Sequence, residues 1–128
     1  MPVDTPAASS VGLVRTFLAA MEARDLERAG ALLGADFIMV FPGSGVMHRL
    51  EELVVWAAER YRFVHKRIAA VEACDRGEFI AVFCHGELDG EWLDGSPFAG
   101  VRFIDRFEVR HGRIVRQQVW NDLALARP

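Results

Sequence analysis

What this 128-residue chain lacks already narrows what it can be. No stretch approaches 18 consecutive apolar residues, so no transmembrane helix and no membrane partner are expected. There is no basic excess: 15 lysines and arginines are scattered among 18 acidic residues, for a net charge of −3, which argues against nucleic acid as a partner. Tyrosine is almost missing, one residue beside nine Phe and three Trp. So many rings with a single phenol point to packing or to an apolar pocket rather than to polar recognition. There is no GxxxxGK[ST], GxGxxG, GxSxG or HExxH motif and no EF-hand loop, so phosphate cradling, dinucleotide binding and serine or zinc hydrolysis lose their usual support. No cofactor and no metal site are expected. Pro42-Gly43-Ser44-Gly45 follows a strand-like run and reads as a turn rather than a phosphate loop.

The two cysteines, Cys74 and Cys84, have no CxxC or paired histidines around them, so they do not make a zinc site. They fall on neighbouring predicted strands joined at Asp75-Arg76-Gly77. Cys84 is expected opposite a residue near Ile68, too far along the ladder from Cys74 for a disulfide. Free thiols suit a reducing compartment, and a cytoplasmic location is expected.

What is present is an ordinary globular composition, 52% hydrophobic and 26% charged, in one domain's length. A chain of this size buries roughly two-thirds of its unfolded surface and needs no staples. Residues 1–10, with neither a basic stretch nor a long apolar run, are read as a flexible lead-in, and 11–128 as a single domain. Leu13, Phe17, Ala20 and Met21 recur at helical spacing from Val11 to Ala23, with Ser9 or Ser10 as cap. Asp25 caps a second helix over 26–33, closed by Gly34. Asp36–Phe41 is strand-like, and Leu50–Tyr61 returns to helix. Four long β-like runs follow, 62–74, 78–88, 98–110 and 113–123, separated by Asp/Gly/Pro turns. Three helices and one strand before a four-strand antiparallel meander predict an α+β fold whose curved sheet wraps its helices.

The last hairpin sorts the two faces of that sheet. A three-residue loop, Arg110-His111-Gly112, places Asp105 opposite Gln117 and Phe103 opposite Val119. Period-two alternation then gathers Val101, Phe103, Asp105, Phe107, Val109, Val115, Val119 and Asn121 inside. Arg102, Arg106, Glu108, Arg110, Arg116 and Gln118 face out, with Ile104 and Trp120 as apolar exceptions that suggest a homodimer patch. Asp105, with Gln117, therefore lies on the apolar side. A carboxylate there must be paired, hydrogen-bonded or protonated. It is either a structural acceptor or a group with a raised pKa facing an apolar substrate. Phe83, His85 and Glu87 share a face of their strand, but Ile80, Val82 and Cys84 make the other face apolar too. The pattern leaves open which side is inward; turned inward, His85 is a proton shuttle.

Val14–Leu26 (VRTFLAAMEARDL), Leu32-Leu33 through Phe41-Pro42-Gly43, and Phe103-Ile104-Asp105-Arg106-Phe107 with Gly112-Arg113-Ile114-Val115 together resemble the nuclear-transport-factor-2-like superfamily. The similarity is greatest to its SnoaL-like polyketide cyclases, with ketosteroid isomerase as a relative, and it spans about 11–123. It implies a cone-shaped α+β barrel, with N-terminal helices packed into a curved, mainly antiparallel sheet. By that comparison Asp105 matches the protonated aspartate of the isomerase, while the base falls on Phe41 and the oxyanion tyrosine on Phe17. Neither phenylalanine moves a proton, so that mechanism is not expected.

The expectation is a cavity for a small apolar molecule lined by Phe17, Phe41, Trp56, Phe83, Glu87, Phe103, Gln117, Val119 and Asn121. Asp105 and His85 are the catalytic candidates for cofactor-free acid–base chemistry as an isomerase, cyclase or hydrolase. The alternative is a non-catalytic binding or dimerisation module. An open apolar cavity at Asp105, against collapse of Phe17, Phe41 and Trp56 into it, separates the two.

Overall fold

The computed structural model describes residues 5–127, and Thr5 precedes the first helix. Its side chain accepts the amide N–H of Ala8 at 3.1 Å and caps helix α1 (Pro6–Glu22). Proline at the first helical position has the right φ and no N–H to leave unpaired. The helix thus starts five residues before the expected position, and Ser10 is buried inside it, not a cap. Of the expected lead-in, residues 6–10 are helical and Met1–Asp4 lie outside the described residues. Asp25 caps α2 (Leu26–Gly30) through the amide of Arg28. That helix is short because Leu33 and Gly34 already belong to strand β1 (Leu33–Phe41). The Pro42–Ser44 turn, with Gly43 at φ 78°, reverses the chain into β2 (Gly45–Met47), a strand the sequence did not announce.

Helix α3 (Leu50–Ala58) is followed by β3 (Tyr61–Asp75), β4 (Ile80–Trp92), β5 (Pro97–Arg110) and β6 (Arg113–Asn121), and α4 (Leu123–Ala126) closes the chain. Tyr61, expected at a helix end, therefore opens a strand, and Leu123, expected at a strand end, starts a helix. All six strands form one sheet in the order β2-β1-β6-β5-β4-β3. Every neighbouring pair is antiparallel except β1 with β6.

The sheet bends where β3 and β4 slip register, beside Gly86 and Gly90. A Cβ on Gly86 would sit 1.9 Å from the Arg67 carbonyl oxygen, and one on Gly90 2.1 Å from that of Phe63. Only glycine lets the two backbones approach so closely, and irregularities of this kind curl a sheet. Of the two turn signals expected between these strands, Asp89-Gly90 lies within β4, whereas Asp94-Gly95-Ser96 makes the turn.

Two registers differ from expectation. The β5–β6 hairpin has a two-residue loop, His111-Gly112, with both residues at positive φ, 50° and 73°. That is the mirror-image turn favoured by strand twist. Arg110 pairs with Arg113, and a slip beyond Val109–Ile114 brings Asp105 opposite Val119 and Phe107 opposite Gln117. The irregularity turns Ile114 inward in place of Val115 and keeps Gln117 and Val119 inside. Cys84 lies opposite Val71, not near Ile68, and Cys74 opposite Ala81; both thiols are free.

The inner face of the curled sheet packs on α1 and α3. Phe17 makes an edge-on contact with Phe107 at 6.0 Å and a tilted one with Phe37 at 6.3 Å, and Val14, Met39, Val82 and Ile114 complete the fully buried centre. No helix among the described residues is long and apolar enough to cross a membrane.

Candidate functional site

Strand alternation brings Asp105 to the inner face of β5 between Phe103 and Phe107, where it has no solvent exposure. Across the sheet, β3 follows the same rule: Val64, Lys66 and Ile68 point inward and alternate with exposed His65 and Arg67. The result is a buried ion pair, Lys66 Nζ to Asp105 Oδ2 at 2.5 Å, with Nζ also 5.1 Å from the centre of the Phe103 ring. The Lys66 backbone N–H donates to Glu22 Oε1 at 3.1 Å, which ties the end of α1 to this strand. His65 Nδ1 meets the same oxygen at 2.5 Å.

Burial pushes the Asp105 carboxyl above its ordinary range, and the Lys66 ammonium, then the Gln117 amide, pull it back. Burial, reinforced by the Asp105 charge, also holds the Cys84 thiol up at about 11, so it stays a neutral thiol. The phenol of Tyr61 is raised by burial as well, against the nearby Arg24 and Arg60.

Between α1, α3, β3 and β6 lies a cavity of about 220 Å³. Phe17, Leu18, Met21, Phe41, Leu53, Tyr61, Val64 and Ile68 supply its apolar wall. Lys66 and Gln117 are its inner polar groups, and Arg15, Glu22 and Arg24 stand at its opening. A void of about 30 Å³ beyond Phe41, Tyr61, Val64 and Lys66 is lined by Trp56, Phe103, Val119 and Asn121. The aromatic side chains therefore collapse only in part: Phe17 joins the core, and Phe41 packs on Trp56 at 5.6 Å, yet space remains. Three buried polar atoms in this region have no partner: Trp56 Nε1, Asp105 Oδ1 and Gln117 Oε1. Gln117 as a residue is 2% exposed.

Of the residues anticipated from sequence, Phe17, Phe41 and Gln117 line the main cavity, and Trp56, Phe103, Val119 and Asn121 line its small neighbour. Asp105 stands behind Lys66 and reaches the cavity through it. Asn121 accepts the Leu123 amide N–H at 3.1 Å and so starts α4. Phe83, His85 and Glu87 do not contribute: the face left open by pattern is resolved by Cys84, which is fully buried, and these three point outward. Asp122 lies at the rim with Arg102 Nε at 2.6 Å from its Oδ2. No group of three metal-ligating side chains occurs among the described residues.

Sequence reasoning missed Lys66 and Tyr61. Each carried a signal, since Lys66 is the only lysine and Tyr61 the only tyrosine in the chain. A lone lysine at a period-two position between Val64 and Ile68, where every other basic residue is arginine, marks an inward-facing cation.

The chain matches the SnoaL-like domain family over residues 14–117. No curated sequence matches it. Among solved structures, an NTF2-like protein from Burkholderia thailandensis superposes with a TM-score of 0.74 at 19% identity, covering 98% of this chain and 100% of the other. An LEH-like epoxide hydrolase from M. tuberculosis gives 0.72 at 18% identity, with 95% and 89% covered. A candidate SnoaL-like polyketide cyclase from a Jannaschia species gives 0.70 at 16% identity, with 98% and 93% covered. At these identities the likeness is one of fold.

Proposed function

The chain belongs to the SnoaL-like family, and within it we propose that this protein binds a ring-sized apolar small molecule in the cavity between α1, α3 and the sheet. One observation carries the reading: about 220 Å³ of space, walled by apolar and aromatic side chains, ends on a buried Lys66–Asp105 pair. An apolar cavity of about 150 Å³ accepts benzene, so this one accommodates a single ring with a short substituent. A core built only for stability gains nothing from a buried ion pair, because desolvation cancels most of the attraction. Proton chemistry at the deep end of the cavity runs through Lys66 and Asp105, the ionisable pair there, and needs no contribution from His85. The epoxide hydrolase and cyclase neighbours make cofactor-free hydrolysis or cyclisation the reactions to assay first.

The test is thermal melting of the protein with millimolar toluene and related single-ring compounds. Binding raises the midpoint by mass action. Val64→Phe, which fills the cavity from its wall, removes the shift. If no ring-sized compound moves the midpoint, or if Val64→Phe leaves the shift intact, the cavity is not a binding site.

A homodimer is part of the same proposal. Trp120 is 51% and Ile104 40% exposed, they are cross-strand partners, and they border an outer groove of about 700 Å³. Trp120→Lys lowers the mass measured by light scattering from dimer to monomer; a native protein that is monomeric at high concentration refutes this. The exposed free thiol of Cys74 supports a reducing, cytoplasmic location, checked by fractionation.

A further inference from the structure

We propose that the open pocket between the ends of α3 and β4 and the last helix, α4, is a second binding site, for a small organic anion whose carboxylate is carried on a flat apolar body. This goes beyond the cavity reading above and does not depend on it.

The pocket holds about 370 Å³ and shares only Tyr61 with the wall of the inner cavity. Two guanidinium groups lie against its indole rings. Arg60 Cζ is 3.9 Å from the centre of the Trp56 ring, and Arg60 Nη1 donates to the Trp56 carbonyl oxygen at 2.7 Å. Arg127 Cζ is 5.6 Å from the centre of the Trp92 ring. A guanidinium already stacked on a ring gives up little further freedom when it binds. Its remaining donors are open. Arg60 Nε and Nη2 have no hydrogen-bond partner among the described residues, and Asn121 Nδ2 has none either, its Oδ1 being taken by the Leu123 N–H. The sealed unpartnered atoms are Trp56 Nε1, Asp105 Oδ1 and Gln117 Oε1 alone among the described residues. The free nitrogens of Arg60 and Asn121 therefore keep accessible surface, on side chains that line the pocket.

Charge points the same way. Arg49, Arg62, Arg67, Arg102 and Arg106 each lie against a carboxylate. Arg60 and Arg127 have no such partner among the described residues, and no acidic side chain lines the pocket. In a chain of net charge −3, two uncompensated cations thus meet at one concavity. Open N–H donors without a competing carboxylate favour an anion over a cation, and the planar guanidinium fork matches a carboxylate in particular. The Trp56, Tyr61 and Trp92 walls favour a flat apolar body behind that carboxylate. A neutral ligand of the same shape gains the stacking and forgoes the ion pair.

The experiment titrates the native protein with naphthoate, with its neutral amide and with acetate by calorimetry. Naphthoate is expected to bind about tenfold tighter than the amide, the worth of one charge-assisted hydrogen bond. Acetate, which lacks the flat body, binds more weakly than naphthoate. Added sodium chloride weakens naphthoate and leaves the amide unchanged. Arg60→Met and Arg127→Met each bring the naphthoate-to-amide ratio down severalfold; circular dichroism checks their folds, and Arg127 is exposed near the end of the chain, where its loss is tolerated. Val64→Phe, at a residue that lines the inner cavity and not this pocket, leaves naphthoate affinity as it was. Failure of naphthoate to bind at millimolar concentration overturns the inference, as does a ratio near one in the native protein or a ratio unmoved by either arginine variant. Loss of naphthoate binding in folded Val64→Phe also overturns it, since the anion then sits in the inner cavity. Toluene binding tests that cavity separately, so the two proposals fail independently.

Discussion

Replacing Lys66 by methionine tests the central feature of the interior most directly. The Asp105 side chain is wholly buried and the Lys66 side chain 21% exposed, so the substitution strands a carboxyl group in an apolar wall. A carboxylate without its counter-ion in such a place takes up a proton. In the unfolded chain the same group titrates at about 3.9. Folding at pH 7 must then bind one proton, which costs about 1.4 kcal/mol for each of roughly three pH units, or about 4 kcal/mol. That agrees with the 3–5 kcal/mol typical of breaking a buried pair from one side. The sign follows from burial, which raises the folded-state pKa of Asp105, with less to oppose it once Lys66 is gone. The variant is therefore most stable in acid, near or below the unfolded pKa, and loses stability as pH rises towards the folded pKa. Urea unfolding at pH 5, 6 and 7 reads this directly. The gap between the native protein and Lys66→Met should widen as pH rises from 5 to 7, because Lys66 holds the native Asp105 pKa below that of the variant. Parallel curves, or a gap below about 1 kcal/mol at pH 7, would refute a buried, charge-coupled pair.

Other outcomes follow from local geometry. Gly86→Ala places a Cβ 1.9 Å from the Arg67 carbonyl oxygen, so the ribbon must open; a loss above about 3 kcal/mol, or no soluble folded protein, is expected in denaturant titration. Thr5→Ala removes the cap of α1 and should cost about 1 kcal/mol, lowering the melting midpoint by about 3–5 °C. With iodoacetamide at pH 8, mass spectrometry should find Cys74 modified first, because it is exposed. Cys84 is buried, its pKa is held at about 11, and it reacts only on unfolding.

The comparison of sequence with structure divides along physical lines. Period-two alternation put Asp105 and Gln117 on the apolar face, and both are buried there, although the expected hairpin register was wrong. The face survived because the pairing shifted by two residues in the region of Asp105, and a shift of two preserves alternation. Where both faces are apolar, as around Cys84 and His85, alternation carries no information, and only packing against the helices assigned the sides. Helix starts moved for a similar reason: Thr5 and Pro6 are a good cap and first turn, but they are weak signals beside a serine pair nearer the apolar repeat.

The sequence by itself determined the α+β architecture, the family and the inward carboxylate, because periodicity, turn residues and local motifs are encoded along the chain. Only the tertiary structure decided that the carboxylate meets Lys66, that Cys84 and not His85 faces inward, and that a ring-sized space persists beside Gln117. Each of those depends on how far the sheet curls at Gly86 and Gly90, bringing β3 over β5 across 39 residues of chain. No local pattern in the sequence fixes a contact at that separation; it is set when the bent sheet closes on its helices.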